Sequence, residues 1–109
     1  MKALIVEPSR MIRNVFVSLF SKNNVSPIAV ETAAEALAVL EIERVDFLCF
    51  SMQIKDMTGI DFFVLAKERG LIGKHPSVML TSSHESITAK AVALGVTECF
   101  SKNEPSRFE

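Results

Sequence analysis

The chain has 109 residues, a formal net charge of −1 and 49% hydrophobic residues. This length supports one domain rather than two, and the near-neutral charge gives no reason to expect nucleic acid or an anionic membrane as a partner. No apolar stretch approaches the roughly 20 residues of a transmembrane helix, and the apolar run at the N-terminus is too short for a signal peptide. We therefore expect a soluble, cytoplasmic protein.

Short apolar segments of strand length alternate with longer segments of helical periodicity along the whole chain. The first segment, 3–6, is continuously apolar, as a strand buried on both faces requires. The pattern predicts strands at residues 3–6, 27–30, 47–50, 78–80 and 96–100. With their caps included, it predicts helices at 9–23, 32–43, 58–70 and about 86–94, and at most two helical turns within 103–109.

Helix boundaries are marked by capping residues. Ser9 can cap the first helix, and Thr32 with Glu35 forms a capping box, in which each side chain satisfies a backbone donor at the helix start. Thr58 or Gly59 opens the third helix, and Gly70 supplies a left-handed end. These signals place the predicted loops between the strands and the helices that follow them.

Phenylalanines at helical spacing are expected to lie in the core, on the first and third helices. Phe62 and Phe63 are neighbours in sequence, so we expect that only one of them faces inward. The other would then be partly exposed and would mark a contact surface.

The alternation of strands and helices predicts an α/β domain with a parallel sheet that is covered by helices on both faces. In such sheets, ligands bind beyond the carboxyl ends of the strands. The polar or flanking residues just past those predicted ends are Glu7, Pro8, Ser51, Met52, Gln53, Thr81, Ser82, Ser83, Ser101 and Lys102. This set is rich in hydroxyl groups and poor in metal ligands.

Four segments, 4–10, 46–59, 78–82 and 95–102, resemble the receiver domain of two-component response regulators, with spacings that fit that family over essentially the whole chain. The resemblance implies a flavodoxin-like, three-layer fold with strand order 2-1-3-4-5. That order places one strand between those that carry Cys49 and Cys99. The separation would be roughly 10 Å, which is too far for a disulfide.

In the family that the chain resembles, an aspartate after the third strand accepts a phosphoryl group from a sensor kinase, and two acidic residues after the first strand help to hold Mg²⁺. A Thr or Ser after the fourth strand and a Lys after the fifth bind the phosphoryl oxygens. By resemblance, Thr81 matches the hydroxyl, Lys102 the lysine and Gly59 the glycine that opens the third helix. Glu7 matches one member of the acidic pair.

Other positions of the family pattern are occupied by different residue types. Ser51 stands at the acceptor position and Pro8 at the second acidic position. Lys55 and Asn103 stand where prolines are usual, and Cys99 replaces the aromatic residue that rotates in the family's switch. The resemblance therefore covers the fold more completely than the chemistry.

The replacements determine which chemistry we expect. An acyl phosphate needs a carboxylate nucleophile, and a serine hydroxyl is weak without an adjacent base. Mg²⁺ is usually anchored by one or two carboxylates, of which Glu7 alone remains. The sequence predicts a degenerate receiver, or pseudo-receiver, that is not an enzyme and has no catalytic or metal-ligating residue, with Mg²⁺ binding weak or absent. A Glu7–Lys102 ion pair, bridged by Ser51 or Thr81, would neutralise the pocket.

Such a domain is expected to act through protein partners: an output domain, a sensor kinase or a second copy of itself. The face expected to make the contact consists of the fourth helix, the fifth strand and a fifth helix. Since only seven residues follow Lys102, we expect 1–109 to be the N-terminal part of a longer chain. The alternative is a working phosphoacceptor or small-ligand sensor that uses Ser51, Thr81 and Lys102.

Overall fold

The computed structural model describes residues 1–73, 77–81 and 98–101, with side chains for 1–73 and Ser77. Five strands and three helices lie in this part of the chain. In order they are β1 (Lys2–Val6), α1 (Arg10–Lys22), β2 (Ser26–Val30), α2 (Ala33–Ile42), β3 (Phe47–Ser51), α3 (Gly59–Glu68), β4 (Ser77–Thr81) and β5 (Glu98–Ser101). The predicted helices at 86–94 and 103–109, and residues 96–97 of the predicted fifth strand, lie outside the described residues.

All five strands form one parallel sheet in the order β2-β1-β3-β4-β5. This is the flavodoxin-like order that the resemblance implied, and it confirms the predicted fold class. Strand β4 separates β3, which carries Cys49, from β5, which carries Cys99. The two cysteines are therefore about two strand spacings apart, roughly 10 Å, and outside disulfide range.

Strand β1 contributes side chains to both layers of the core. Ala3 and Ile5 belong to the cluster that contains Phe16 and Phe20 of α1. Leu4 and Val6 belong to the larger cluster, which includes side chains of α2 and α3. These four residues are fully buried, and burying a Val, Leu or Ile side chain contributes about 1.5–3 kcal/mol. The unbroken apolar run is thus explained by helices on both sides.

The expectation that Phe62 or Phe63 is partly exposed is wrong, since their exposed fractions are 0% and 1%. The ring of Phe50 on β3 accommodates both of them. It stacks on Phe63 with centroids 5.6 Å apart and meets the edge of Phe62 at 5.7 Å. Adjacent helical residues differ by about 100° around the axis, which is the width of an ordinary apolar stripe. A helix lying flat on the sheet can therefore bury both.

The predicted helix starts are confirmed by their side-chain hydrogen bonds. Ser9 Oγ accepts from the Ile12 amide at 3.4 Å, and Thr58 Oγ1 accepts from the Asp61 amide at 3.1 Å. Thr32 Oγ1 accepts from the amide of Glu35 at 3.1 Å and donates to its carboxylate at 2.9 Å. Gly70, with φ of +70°, follows the last turn of α3. In the part of the chain that the structure describes, no helix is long and apolar enough to cross a membrane.

Candidate functional site

The strand register brings the predicted site residues to one edge of the sheet. Val6 is paired with Phe50, so Glu7 and Ser51 follow side by side at the ends of β1 and β3. Ser51 is in turn paired with Leu80, one residue before Thr81. The structure thus places Glu7, Ser51 and Thr81 on three neighbouring strands at their carboxyl ends. Thr81 is described as strand backbone, and Lys102 lies outside the described residues.

Glu7 lies at the centre of this edge with no exposed surface. Its Oε2 accepts a hydrogen bond from the Ser9 amide at 2.7 Å, and its own amide donates to the carbonyl oxygen of Val30 at 3.0 Å. Pro8 stands between Glu7 and Ser9 and is half-buried. One carboxylate oxygen of Glu7 is therefore engaged with the residue that caps α1.

Arg13 fixes the loop that contains Glu7 and Pro8. Its Nη1 donates to the carbonyl oxygens of Glu7 at 2.9 Å and of Pro8 at 3.2 Å, and it lies 3.7 Å from Glu31 Oε2. Our sequence reasoning missed Arg13. The available signal was its place one helical turn after Ser9, on the side of α1 that faces the loop. Arg13 links the β1–α1 loop with the β2–α2 loop.

Ser51 ends β3 and is also fully buried. Its Oγ accepts a hydrogen bond from the Gln53 amide at 3.3 Å. The chain returns at Gly59, whose amide donates to the Met52 carbonyl oxygen at 2.7 Å. A Cβ atom at position 59 would lie 2.1 Å from the Ser51 carbonyl oxygen, so only glycine permits this close approach.

The loop between Ser51 and Gly59 is closed by backbone contacts. Gln53 and Thr58 form an isolated antiparallel bridge, and the Ile54 amide donates to the Met57 carbonyl oxygen at 3.0 Å. Lys55, at the tip of the loop, is exposed. We call residues 52–58 the β3–α3 loop.

Asp56 of this loop reaches across to the start of α2. Its Oδ1 accepts from the Ala33 amide at 2.7 Å and its Oδ2 from the Ala34 amide at 3.1 Å. These contacts, that with Ala33 first, hold the pKa of Asp56 below its ordinary value despite an opposing effect of desolvation. Sequence reasoning did not find this contact, because partners 22 and 23 residues apart leave no local pattern.

Magnesium is the cofactor that the resemblance implies, and the described residues at this edge fit it poorly. Mg²⁺ prefers an octahedral shell of oxygens that includes one or two accessible carboxylates. Glu7 is buried and bound to the Ser9 amide, and Asp56 is directed at α2. Within the described ranges, no group of three or more His, Cys, Asp and Glu side chains could hold a metal ion.

A cleft of about 510 Å³ opens at the opposite edge of the sheet. Its lining includes Glu43 and Asp46, which precede β3, and Leu71, which follows α3. The cleft is therefore separate from Ser51 and Glu7, and it adds no volume for a ligand at the carboxyl ends of the strands.

A family model described as the response regulator receiver domain matches residues 3–108. The chain belongs to this family. A search of the curated proteins by sequence found no match. As a member of this family, the chain is a receiver domain of two-component signalling.

Solved receiver structures share the fold at low sequence identity. The receiver domain of the Francisella response regulator 1452 has a TM-score of 0.89 and 14% identity, over 98% of this chain and 88% of that one. The chemotaxis response regulator CheY4 of Vibrio cholerae has a TM-score of 0.86 and 21% identity, over 98% of this chain and 93% of that one. The BeF3-activated N-terminal receiver domain of Klebsiella pneumoniae RstA has a TM-score of 0.86 and 17% identity, over 99% of this chain and 91% of that one. At these identities the likeness shows the fold of the receiver domain alone.

Proposed function

We propose that this receiver domain is a pseudo-receiver, which signals through protein contacts and does not accept a phosphoryl group. The observation that carries the proposal is Ser51, a fully buried hydroxyl at the end of β3, where the family pattern has a carboxylate nucleophile. A serine cannot form an acyl phosphate, and it becomes a useful nucleophile only beside an activating base.

The surroundings of Ser51 support this reading. Its Oγ accepts the Gln53 amide, which is an ordinary structural role for a hydroxyl at a strand end. The neighbouring carboxylate, Glu7, is bound at Oε2 by the Ser9 amide. With Pro8 in the second acidic place, we expect Mg²⁺ to bind weakly or not at all.

A buried carboxylate needs a compensating charge. In this proposal, Lys102 supplies that charge to Glu7, as an ion pair that Ser51 or Thr81 bridges. Strand β5 ends at Ser101, which is paired with Thr81, so the chain reaches this edge one residue before Lys102. We expect Glu7→Gln to lower stability, because it leaves the ammonium group without its partner. Unchanged stability and unchanged partner binding in that variant would refute the ion pair.

Partners of the proposed pseudo-receiver are an output domain, a sensor kinase or a second copy of the chain. The face predicted from the resemblance involves β5 and the predicted fourth and fifth helices. Met11 and Val15, one turn apart on α1, are 75% and 43% exposed. Two exposed apolar residues are common on protein surfaces, so the proposed partner class is supported by the family and not by this pair.

The test is an amide NMR titration of the domain, first with Mg²⁺ and then with Mg²⁺ plus beryllofluoride, which mimics a phosphoryl group on aspartate. We expect the amide resonances of Ser51, Thr81 and Lys102 to remain in place. The matched control is the double variant Pro8→Asp, Ser51→Asp, in which Mg²⁺ should shift those resonances because three carboxylates then face the pocket. Saturable shifts in the unmodified chain would overturn the proposal in favour of phosphoacceptance or ligand sensing through Ser51, Thr81 and Lys102.

A further inference from the structure

The first turn of α2 is completed by a residue from a different part of the chain. The first amides of any helix have no acceptor within the helix. Thr32 Oγ1 takes the amide of Glu35, and the two amides before it, those of Ala33 and Ala34, are taken by the carboxylate of Asp56. We call this two-oxygen contact the Asp56 clamp.

The other end of the clamp is the β3–α3 loop. Inside this loop the Ile54 amide donates to the Met57 carbonyl oxygen, so Asp56 lies within a closed turn. The loop begins with the Gln53 amide on Ser51 Oγ and ends with the Gly59 amide on the Met52 carbonyl oxygen. Displacing Asp56 therefore acts on the hydrogen bonds that position Ser51.

Both partners of the clamp are at the protein surface. Asp56 and Ala34 are exposed, although Ala33 is buried. Hydrogen bonds to an ionised carboxylate are stronger than neutral ones, and the positive end of the α2 dipole adds to the attraction. The contact thus favours the closed arrangement of two surface segments and stays open to a partner that binds either one.

We propose that Asp56 is a positioning residue that couples the first turn of α2 to the β3–α3 loop, so that the two segments open and close together. A protein bound at the start of α2 would then alter the Ser51 end of β3, with no phosphoryl chemistry required. The reverse also follows, since a change at Ser51 would be transmitted to α2. The coupling does not depend on whether Ser51 accepts a phosphoryl group.

The experiment is native-state amide hydrogen exchange, followed by NMR on the 109-residue chain, of the unmodified protein, Asp56→Ala and Asp56→Asn. The amides compared are Ala33 and Ala34 in α2, Ile54 and Gly59 around the loop, and Leu4 as a reference in β1. None of them directly adjoins position 56, so the substitution leaves their intrinsic exchange rates unchanged. Glu68→Ala is the matched control, because Glu68 is exposed at the far end of α3 and its carboxylate makes no hydrogen bond within the described part of the chain.

We expect Asp56→Ala to speed exchange about 2- to 30-fold, the range for losing a helix cap, at Ala33, Ala34, Ile54 and Gly59 alike. Exchange at Leu4 should speed up only by as much as the overall stability falls, and Glu68→Ala should leave exchange in both segments unchanged. Asp56→Asn, which retains one acceptor oxygen, should give a smaller increase at the same four amides, and it serves if the alanine variant does not fold. Faster exchange at Ala33 and Ala34 with unchanged exchange at Ile54 and Gly59 would overturn the coupling and leave Asp56 as a helix cap alone.

Discussion

Arg13 Nη1 lies 2.9 Å from the carbonyl oxygen of Glu7, and this contact joins α1 to the loop at the end of β1. The same nitrogen reaches the Pro8 carbonyl oxygen at 3.2 Å. Two consecutive carbonyl groups thus accept hydrogen bonds from one guanidinium, and the Arg13 side chain that carries it is only 19% exposed.

Replacing Arg13 should therefore destabilise the domain more than replacing another arginine of α1. We expect Arg13→Met to lower the free energy of unfolding by about 1.5–3 kcal/mol, as for the loss of hydrogen bonds to a charged group. Arg10→Met is the control, since Arg10 is exposed and surface substitutions usually change stability by less than about 0.5 kcal/mol. Urea unfolding followed by circular dichroism measures the free energy of unfolding of both variants. Equal losses would show that the Arg13 hydrogen bonds add no stability.

Gly59→Ala tests the close approach of α3 to the end of β3. The added Cβ would lie 2.1 Å from the Ser51 carbonyl oxygen, so the backbone must shift, and we expect a loss of at least about 2 kcal/mol. Gly70→Ala makes a useful comparison, because there the added atom meets nothing within 4 Å but φ is +70°. Its cost should be about 1–2 kcal/mol from left-handed backbone strain alone. A harmless Gly59→Ala in urea unfolding would contradict the described packing.

The Asp56 clamp also predicts a pH dependence of stability. The carboxyl group has its pKa lowered from 3.8 in the folded chain, first by the Ala33 amide. A group of this kind contributes stability above its unfolded pKa, and that contribution disappears as the pH falls through the folded pKa. The stability difference between the unmodified chain and Asp56→Asn should therefore be constant between pH 5 and 7, as a rough window, and shrink below 3.8. Urea unfolding at several pH values gives the difference, and one that persists undiminished at acid pH would rule out the charged contact.

Lys55→Pro should stabilise the domain. Lys55 is exposed in the β3–α3 loop, and it stands where the family pattern usually has a proline, so we expect the backbone there to accept a proline. Proline would reduce the freedom of the unfolded chain and add about 0.4–1 kcal/mol. Lys55→Ala removes the same charge and controls for it. A thermal unfolding midpoint that falls for proline but not for alanine would indicate that the turn needs the Lys55 amide.

The elements that local patterns specify were predictable from the sequence. Ser9, Thr32 and Thr58 cap the three helices because a short oxygen-bearing side chain at that place satisfies an amide three residues on. The run of apolar residues in β1 predicted burial on both faces, and the family resemblance predicted the strand order.

Contacts that depend on how elements pack were not predictable in the same way. The burial of both Phe62 and Phe63 depends on the place of the Phe50 ring beneath α3, which no helical pattern contains. Asp56 and Ala33 come together only after β3 has been laid beside β1. Glu7, Ser51 and Thr81 come to one edge of the sheet because parallel strands end at a common edge whatever their side chains are.

Burial of Ser51 limits which enzymes can act on this domain. A protein kinase that modifies serine takes its substrate as an accessible, extended peptide, whereas Ser51 has no exposed surface and lies in a strand that is hydrogen-bonded to β1 and β4. To offer its hydroxyl, the end of β3 would have to separate from its neighbours, or the β3–α3 loop that covers it would have to open. A phosphate found on Ser51 would therefore mark a chain that was modified before folding or in an opened form of this edge of the sheet.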